Sequence, residues 1–133
     1  SKMTTASISS DTVISHDLPW NIEVTTETAQ RTDNARHFQV YLVCNEKTEK
    51  KLWRAEYTAE FVLLHKGLEK KKNIVNSFFD HEHFTRGYTK YVLYDELIDV
   101  QKELIDNDTV TLECRVKVGK VKGVRKRVLH DFT

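Results

Sequence analysis

From Thr109 to Val118 the chain alternates without a slip. Val110, Leu112, Cys114, Val116 and Val118 fall on one face, and Thr109, Thr111, Glu113, Arg115 and Lys117 on the other. A period of two cannot gather its apolar residues on one side of a helix, so this stretch predicts a half-buried β-strand. Asp106, Asn107 and Asp108 stand just before it. Their side chains bond nearby backbone and tolerate left-handed conformations, which predicts a sharp turn and a strand start at about Asp108. Upstream, Asp95 is expected to cap a short helical turn, with Leu97, Val100 and Leu104 at helical spacing behind it.

The same alternation recurs along the chain. Trp20, Ile22 and Val24 oppose Asn21, Glu23 and Thr25, and Phe38, Val40, Leu42 and Cys44 oppose His37, Gln39, Tyr41 and Val43. In the longest run, Trp53, Ala55, Tyr57, Ala59, Phe61 and Leu63 share a face opposite Arg54, Glu56, Thr58 and Glu60. Residues 66–72 read as a charged loop around Gly67, after which Asn73 to Phe79 returns as a strand. About seven to eight short strands with one helical turn predict an all-β fold, an antiparallel β-sandwich. The sandwich is expected over residues 18–118. Residues 1–17, rich in Ser and Thr, read as a flexible leader with at most one short edge strand. Residues 119–133 read as a basic linker.

Composition narrows the function. The chain is 39% hydrophobic with one Pro and four Gly, which describes a globular domain. No apolar run approaches the roughly 20 residues of a membrane helix, and the start lacks the basic-then-apolar pattern of a secretion signal, so an intracellular protein of the cytoplasm or nucleus is expected, with no membrane partner. Cys44 and Cys114 each lie on an apolar strand face and read as reduced, buried thiols. The first 116 residues carry 15 basic and 19 acidic side chains, whereas residues 117–127 hold six basic ones and no acid. Valines interrupt that tail and no aromatic platform adjoins it, so a linker or final edge strand is expected and no nucleic acid partner.

Catalytic signals are missing: there is no nucleophile elbow, no phosphate-cradling glycine loop and no paired-histidine helix motif. Asp95, Glu96, Asp99 and Glu103 cluster where they would cap and solvate a helical turn. His81-Glu82-His83 places two imidazoles on one side of an extended segment, but His65 and His130 lie elsewhere, so no metal is expected. The chain reads as a non-enzyme without cofactors. What remains is recognition, because a sandwich offers strand edges where an extended peptide gains main-chain hydrogen bonds and outward aromatics pocket its side chains. Tyr41, Tyr88, Tyr91 and one of Phe78 and Phe79 are the outward candidates.

Several segments together resemble the MATH (meprin and TRAF homology) domain. They are Leu18-Pro19-Trp20-Asn21-Ile22-Glu23-Val24, Val40 to Asn45 with Trp53 and Phe61 to Leu64, Gly87-Tyr88 with Lys90-Tyr91 and Asp95-Glu96-Leu97, and Asp108 to Val116. The resemblance implies a β-sandwich and a protein-recognition module that takes short peptide segments of substrate proteins. It places peptide contacts on Tyr41, Tyr57, Phe78 (Phe79 with the gap placed differently), Gly87 and Tyr88. Where the family often has an acid and Trp before the Gly, this chain has Thr85-Arg86, so Arg86 is a candidate contact suited to an acidic or phosphorylated ligand. Residues 128–133 are similar to the boundary before a BTB domain. That similarity implies a substrate-recruiting adaptor of a cullin-based ubiquitin ligase. Two alternatives are a module beside a ubiquitin-specific protease and a TRAF-like scaffold that forms homo-oligomers through an unpaired edge.

Overall fold

The computed structural model describes residues 7–28, 35–46 and 52–123. The expectations for residues 1–6 and for the tail from 124 onward lie outside the described residues. Among the described residues, eight strands run in chain order: β1 Ser7–Ser9, β2 Val13–Ser15, β3 Leu18–Thr28, β4 Arg36–Val43, β5 Arg54–His65, β6 Leu68–Asp80, β7 Thr85–Leu93 and β8 Thr111–Lys122. A helical turn, α1 Tyr94–Leu97, and a 3-10 turn, Val100–Lys102, stand between β7 and β8. All pairing among the described strands is antiparallel. One sheet has the order β1-β3-β4-β7 with β2 also on β3, and the other has the order β6-β5-β8. This is the antiparallel sandwich that the alternation predicts.

The leader is more ordered than its composition suggests. Ser7–Ser9 pairs with Glu23–Thr25, and Val13–Ser15 pairs with Leu18–Trp20, so two short strands extend the first sheet ahead of residue 18. His16 and Asp17 both take positive φ, 55° and 62°, which is the two-residue hairpin turn whose twist matches antiparallel strands. Trp20 Nε1 donates to the Ser15 carbonyl at 3.0 Å, and the amide of Ile22 donates to Ser10 Oγ at 2.8 Å, tying this segment to β3.

Most of the charged run 66–72, from Leu68 on, is likewise strand rather than loop. Lys66 and Gly67 form a turn of the same kind, with φ of 51° and 81°, and β6 starts at Leu68 paired with His65. Its charges are met across strands: Lys72 pairs with Glu60 at 3.6 Å, and Arg115 of β8 reaches Glu69 at 3.0 Å and Glu60 at 3.4 Å. Such exposed pairs are worth well under about 1 kcal/mol each, so they fit a strand set by its turn rather than create it. The strand β8 runs on to Lys122, opposite Arg54, so residues 119–122 of the expected linker belong to the sheet. At its start, Asn107 and Asp108 take φ of 50° and 59°, the turn read from those residues, but the strand itself begins at Thr111 rather than at Asp108. Asp95 lies inside α1 and caps nothing; Asp99 caps the 3-10 turn by accepting from the amide of Gln101. Leu97 is buried there, whereas Val100 is exposed.

The core lies between the sheets. Trp53, Phe61, Phe79, Leu18, Leu42, Leu63 and Val40 are fully buried, each contributing on the order of 1.5–3 kcal/mol by leaving water. Trp20 of the first sheet meets Phe79 and Tyr57 of the second edge-on, with centroids 5.7 and 6.4 Å apart, and Tyr57 stacks on Phe79 at 4.5 Å. Cys44 and Cys114 are free thiols packed with the core, and burial pushes both up to about 12.

Two core tyrosines are expected to make stability sensitive to alkali. Burial pushes Tyr57 and Tyr91 up to about 12, and Tyr91 Oη donates to the Phe61 carbonyl at 3.0 Å. The unfolded chain releases those protons near pH 10, so the raised folded value favours the native state fully below pH 10 and progressively less up to pH 12. The unfolding free energy is therefore expected to fall across that window by on the order of 2–3 kcal/mol per tyrosine, read from urea midpoints. Tyr57→Phe should remove its share, and a midpoint that holds steady to pH 12 would contradict the assignment.

Candidate functional site

The strand β7 ends its sheet: β4 pairs with one side, and no described strand pairs with the other. Along it, Tyr88 and Arg86 project to the side of the second sheet, while Gly87 shares the outer face with Tyr41, its partner across β4. A Cβ at Gly87 would stand 1.9 Å from the Val40 carbonyl oxygen and 2.8 Å from the Tyr41 Cα, so only glycine lets these two backbones approach. The result is a bare patch of β7 beside the half-buried Tyr41 ring. Tyr41 Oη reaches Gln39 Oε1 at 3.3 Å, which also accepts from Thr25 Oγ1 at 2.9 Å. His37, Gln39 and Val43 share this outward face, yet all three are buried.

A bulge re-aims the next residues. Phe38 pairs with Val92 and Val40 with Tyr88, so three residues of β7 face Gln39 alone. That breaks the period of two and turns Tyr91 inward with Tyr88. Tyr88 meets Phe61 edge-on at 5.7 Å and Tyr91 at 5.6 Å, and is half-buried. Both outward candidates on β7 thus turn inward: Tyr88 is packed against the core, and Tyr91 is a core residue, 4% exposed.

The ambiguity at residues 78 and 79 is resolved: Phe79 is fully buried, and Phe78 points out from β6. Two guanidiniums lie over the Phe78 ring, Arg54 at 3.7 Å and Arg86 at 5.3 Å from its centroid. Arg86 Nε also donates to the Phe78 carbonyl at 3.3 Å, bridging the end strands of the two sheets. Tyr57 does not fit the role expected of it. Its ring is 3% exposed and stacked in the core, and only its hydroxyl side approaches Ser77, Arg86 and Tyr88. The fold therefore gathers Tyr41, Gly87, Tyr88, Arg86 and Phe78 along one side of the sandwich and withdraws Tyr57 from the surface.

One contact that sequence reasoning missed is Arg54, because alternation puts it outward without showing what it covers. A cleft of about 470 Å³ on the outer face of the second sheet is lined by Arg54, Glu56, Thr58, Asn76, Phe78 and Lys117, among others. His83 bonds Asp80 at 3.0 Å, and no group of three or more His, Cys, Asp or Glu side chains among the described residues is arranged to hold a metal.

Among the described residues, eight strands in two antiparallel layers, with a glycine-made shelf on the end strand of the first sheet, make a β-sandwich. The chain belongs to the MATH domain family, whose description it matches over residues 1–116. Its relatives include two Caenorhabditis elegans proteins, BTB and MATH domain-containing proteins 38 and 36. The first is 28% identical over 118 residues, covering 87% of this chain, and the second 25% identical over 126 residues, covering 85%. Ubiquitin carboxyl-terminal hydrolase 7 of Drosophila melanogaster is 29% identical over 111 residues, covering 80%. The chain spans 30%, 37% and 9% of those proteins' lengths.

Proposed function

We propose that this domain is a non-catalytic recognition module that holds a short, extended segment of a partner protein along the free edge of β7. The observation that carries the reading is the Gly87 shelf, where the end strand of a sheet presents bare backbone beside the Tyr41 ring. An incoming strand gains main-chain hydrogen bonds there, and Tyr41 with Tyr88 offers apolar contact to alternate side chains. Family membership supports the same reading. Tyr41→Ala tests it: the fold stays intact, and affinity for a peptide selected from a random library falls by about 1–3 kcal/mol, measured by fluorescence anisotropy. Unchanged affinity would take Tyr41 out of the site.

In the whole protein we place this module as the substrate-recruiting part of an intracellular MATH-BTB adaptor for a cullin-based ubiquitin ligase, in the cytoplasm or nucleus. Relatives whose names carry both domains support this. The hydrolase relative supports the alternative of a module beside a ubiquitin-specific protease. The gene sequence adjoining this segment separates the two.

One observation favours a second reading, a TRAF-like scaffold that self-associates. The outer edge of β8 is unpaired among the described residues, and an open groove of about 300 Å³ separates its inward Cys114, Val116 and Val118 from Val13, Trp20 and Ile22. Unpaired edges of this kind template strand addition. Sedimentation over a wide concentration range tests it, and a strict monomer throughout removes it.

A further inference from the structure

We propose that Arg54, Phe78 and Arg86 form an anion subsite that takes an acidic or phosphorylated side chain of the segment bound on β7. The inference rests on the reading of β7 as the peptide edge and adds the chemistry that the edge selects.

Two like charges converge on one ring, 3.7 and 5.3 Å from its centroid. Neither guanidinium has a carboxylate partner among the described residues. The acid opposite Arg54 across the strands is Asp80, and its Oδ1 already accepts from the amides of Glu82 and His83 and from the His83 ring. Desolvation raises the Asp80 carboxyl, but these bonds together outweigh it and hold the group below its usual range. Two guanidiniums beside one ring with no carboxylate partner leave positive charge that an anion would balance. A guanidinium fork matches carboxylate and phosphate oxygens in two parallel bonds, and an aromatic face beneath it fixes its plane. Phe78 supplies that face.

Position makes the subsite reachable from the peptide edge. Arg86 is rooted on β7 one residue before the shelf, and its Nε is fixed by the Phe78 carbonyl of β6, so it spans both sheets on the side where the segment would lie. Arg54 and Lys117 line the adjoining cleft, where the sole acid is Glu56. That acid opposes anion entry and supplies a test of sign.

The experiment uses ¹⁵N-labelled protein and two probes. Phenyl phosphate is titrated first, following the Nε–Hε signals of Arg54 and Arg86 against those of Arg36 and Arg115. Saturable shifts confined to Arg54 and Arg86 are expected. Arg54→Gln should weaken binding about tenfold or more and Glu56→Gln should strengthen it. Arg86 is left in place because it also ties the two sheets. Equal shifts at all four arginines, or indifference to Arg54→Gln, would overturn the subsite. The second probe is a set of degenerate decapeptide pools with a fixed central phosphoserine, Glu, Ser or Ala. An advantage of about tenfold for phosphoserine or Glu, lost in Arg54→Gln, is expected, and the better of the two names the source of the anion. Equal binding by all pools would overturn the subsite and leave the peptide edge standing. Binding by none would overturn both.

Discussion

Phe79→Ala is expected to lower the unfolding free energy by about 3–5 kcal/mol, whereas Phe78→Ala, one residue away, should cost no more than about 2. The two rings face opposite ways on β6. Phe79 is fully buried, stacked on Tyr57 at 4.5 Å and edge-on to Trp20 at 5.7 Å, so truncation opens a cavity between the sheets. Phe78 is half-buried and loses mainly its contacts with Arg54 and Arg86. Urea melts of the two variants decide it. Equal losses would mean that the register of β6 against β5, which pairs Ala55 with Phe79 and Glu56 with Phe78, is wrong.

Gly87→Ala is expected to be nearly as damaging, at about 3 kcal/mol or more, although it adds one methyl at an exposed position. The added carbon would sit 1.9 Å from the Val40 oxygen and 2.8 Å from the Tyr41 Cα, and both are β4 backbone that cannot swing aside as a side chain could. Relief requires β7 to lift from β4 around residue 87, which breaks pairing on both sides of the shelf. Against a typical total of about 5–15 kcal/mol, that loss leaves a visibly unfolding population. Hydrogen exchange should localise it: amides of β7 and β4 near Gly87 exchange early, while β5 and β6 stay protected. A fully stable Gly87→Ala would show that this glycine is not forced by the neighbouring strand.

The strands were legible where one rule acts alone. Unbroken alternation fixed β5 and β8, and the free Cys44 and Cys114 lie packed with the core where their faces put them. Misreadings arose where turn geometry outweighs composition. His16-Asp17 and Lys66-Gly67 make two-residue turns that turn a polar leader and a charged run into strands, although neither carries an Asn-Gly signal. A bulge hides the inward turn of Tyr91, since the two extra residues of β7 opposite Gln39 interrupt the alternation. At the site, pattern and resemblance located Tyr41, Gly87 and Tyr88 on one strand pair. They did not show that Tyr57 is withdrawn, that Gly87 is required by the Val40 backbone, or that Arg54 joins Arg86 on Phe78. Those facts depend on which strands end each sheet, and alternation carries no information about strand order.

The most direct test of the peptide edge is an amide-shift map of the labelled domain with a library-selected peptide. We expect the changes to gather on Thr85, Arg86, Gly87, Tyr88 and Thr89 of β7 and on Tyr41 of β4, with slowed exchange of the β7 amides that face away from β4. A map centred instead on β8 and the groove beside Trp20, with β7 unmoved, would contradict the account.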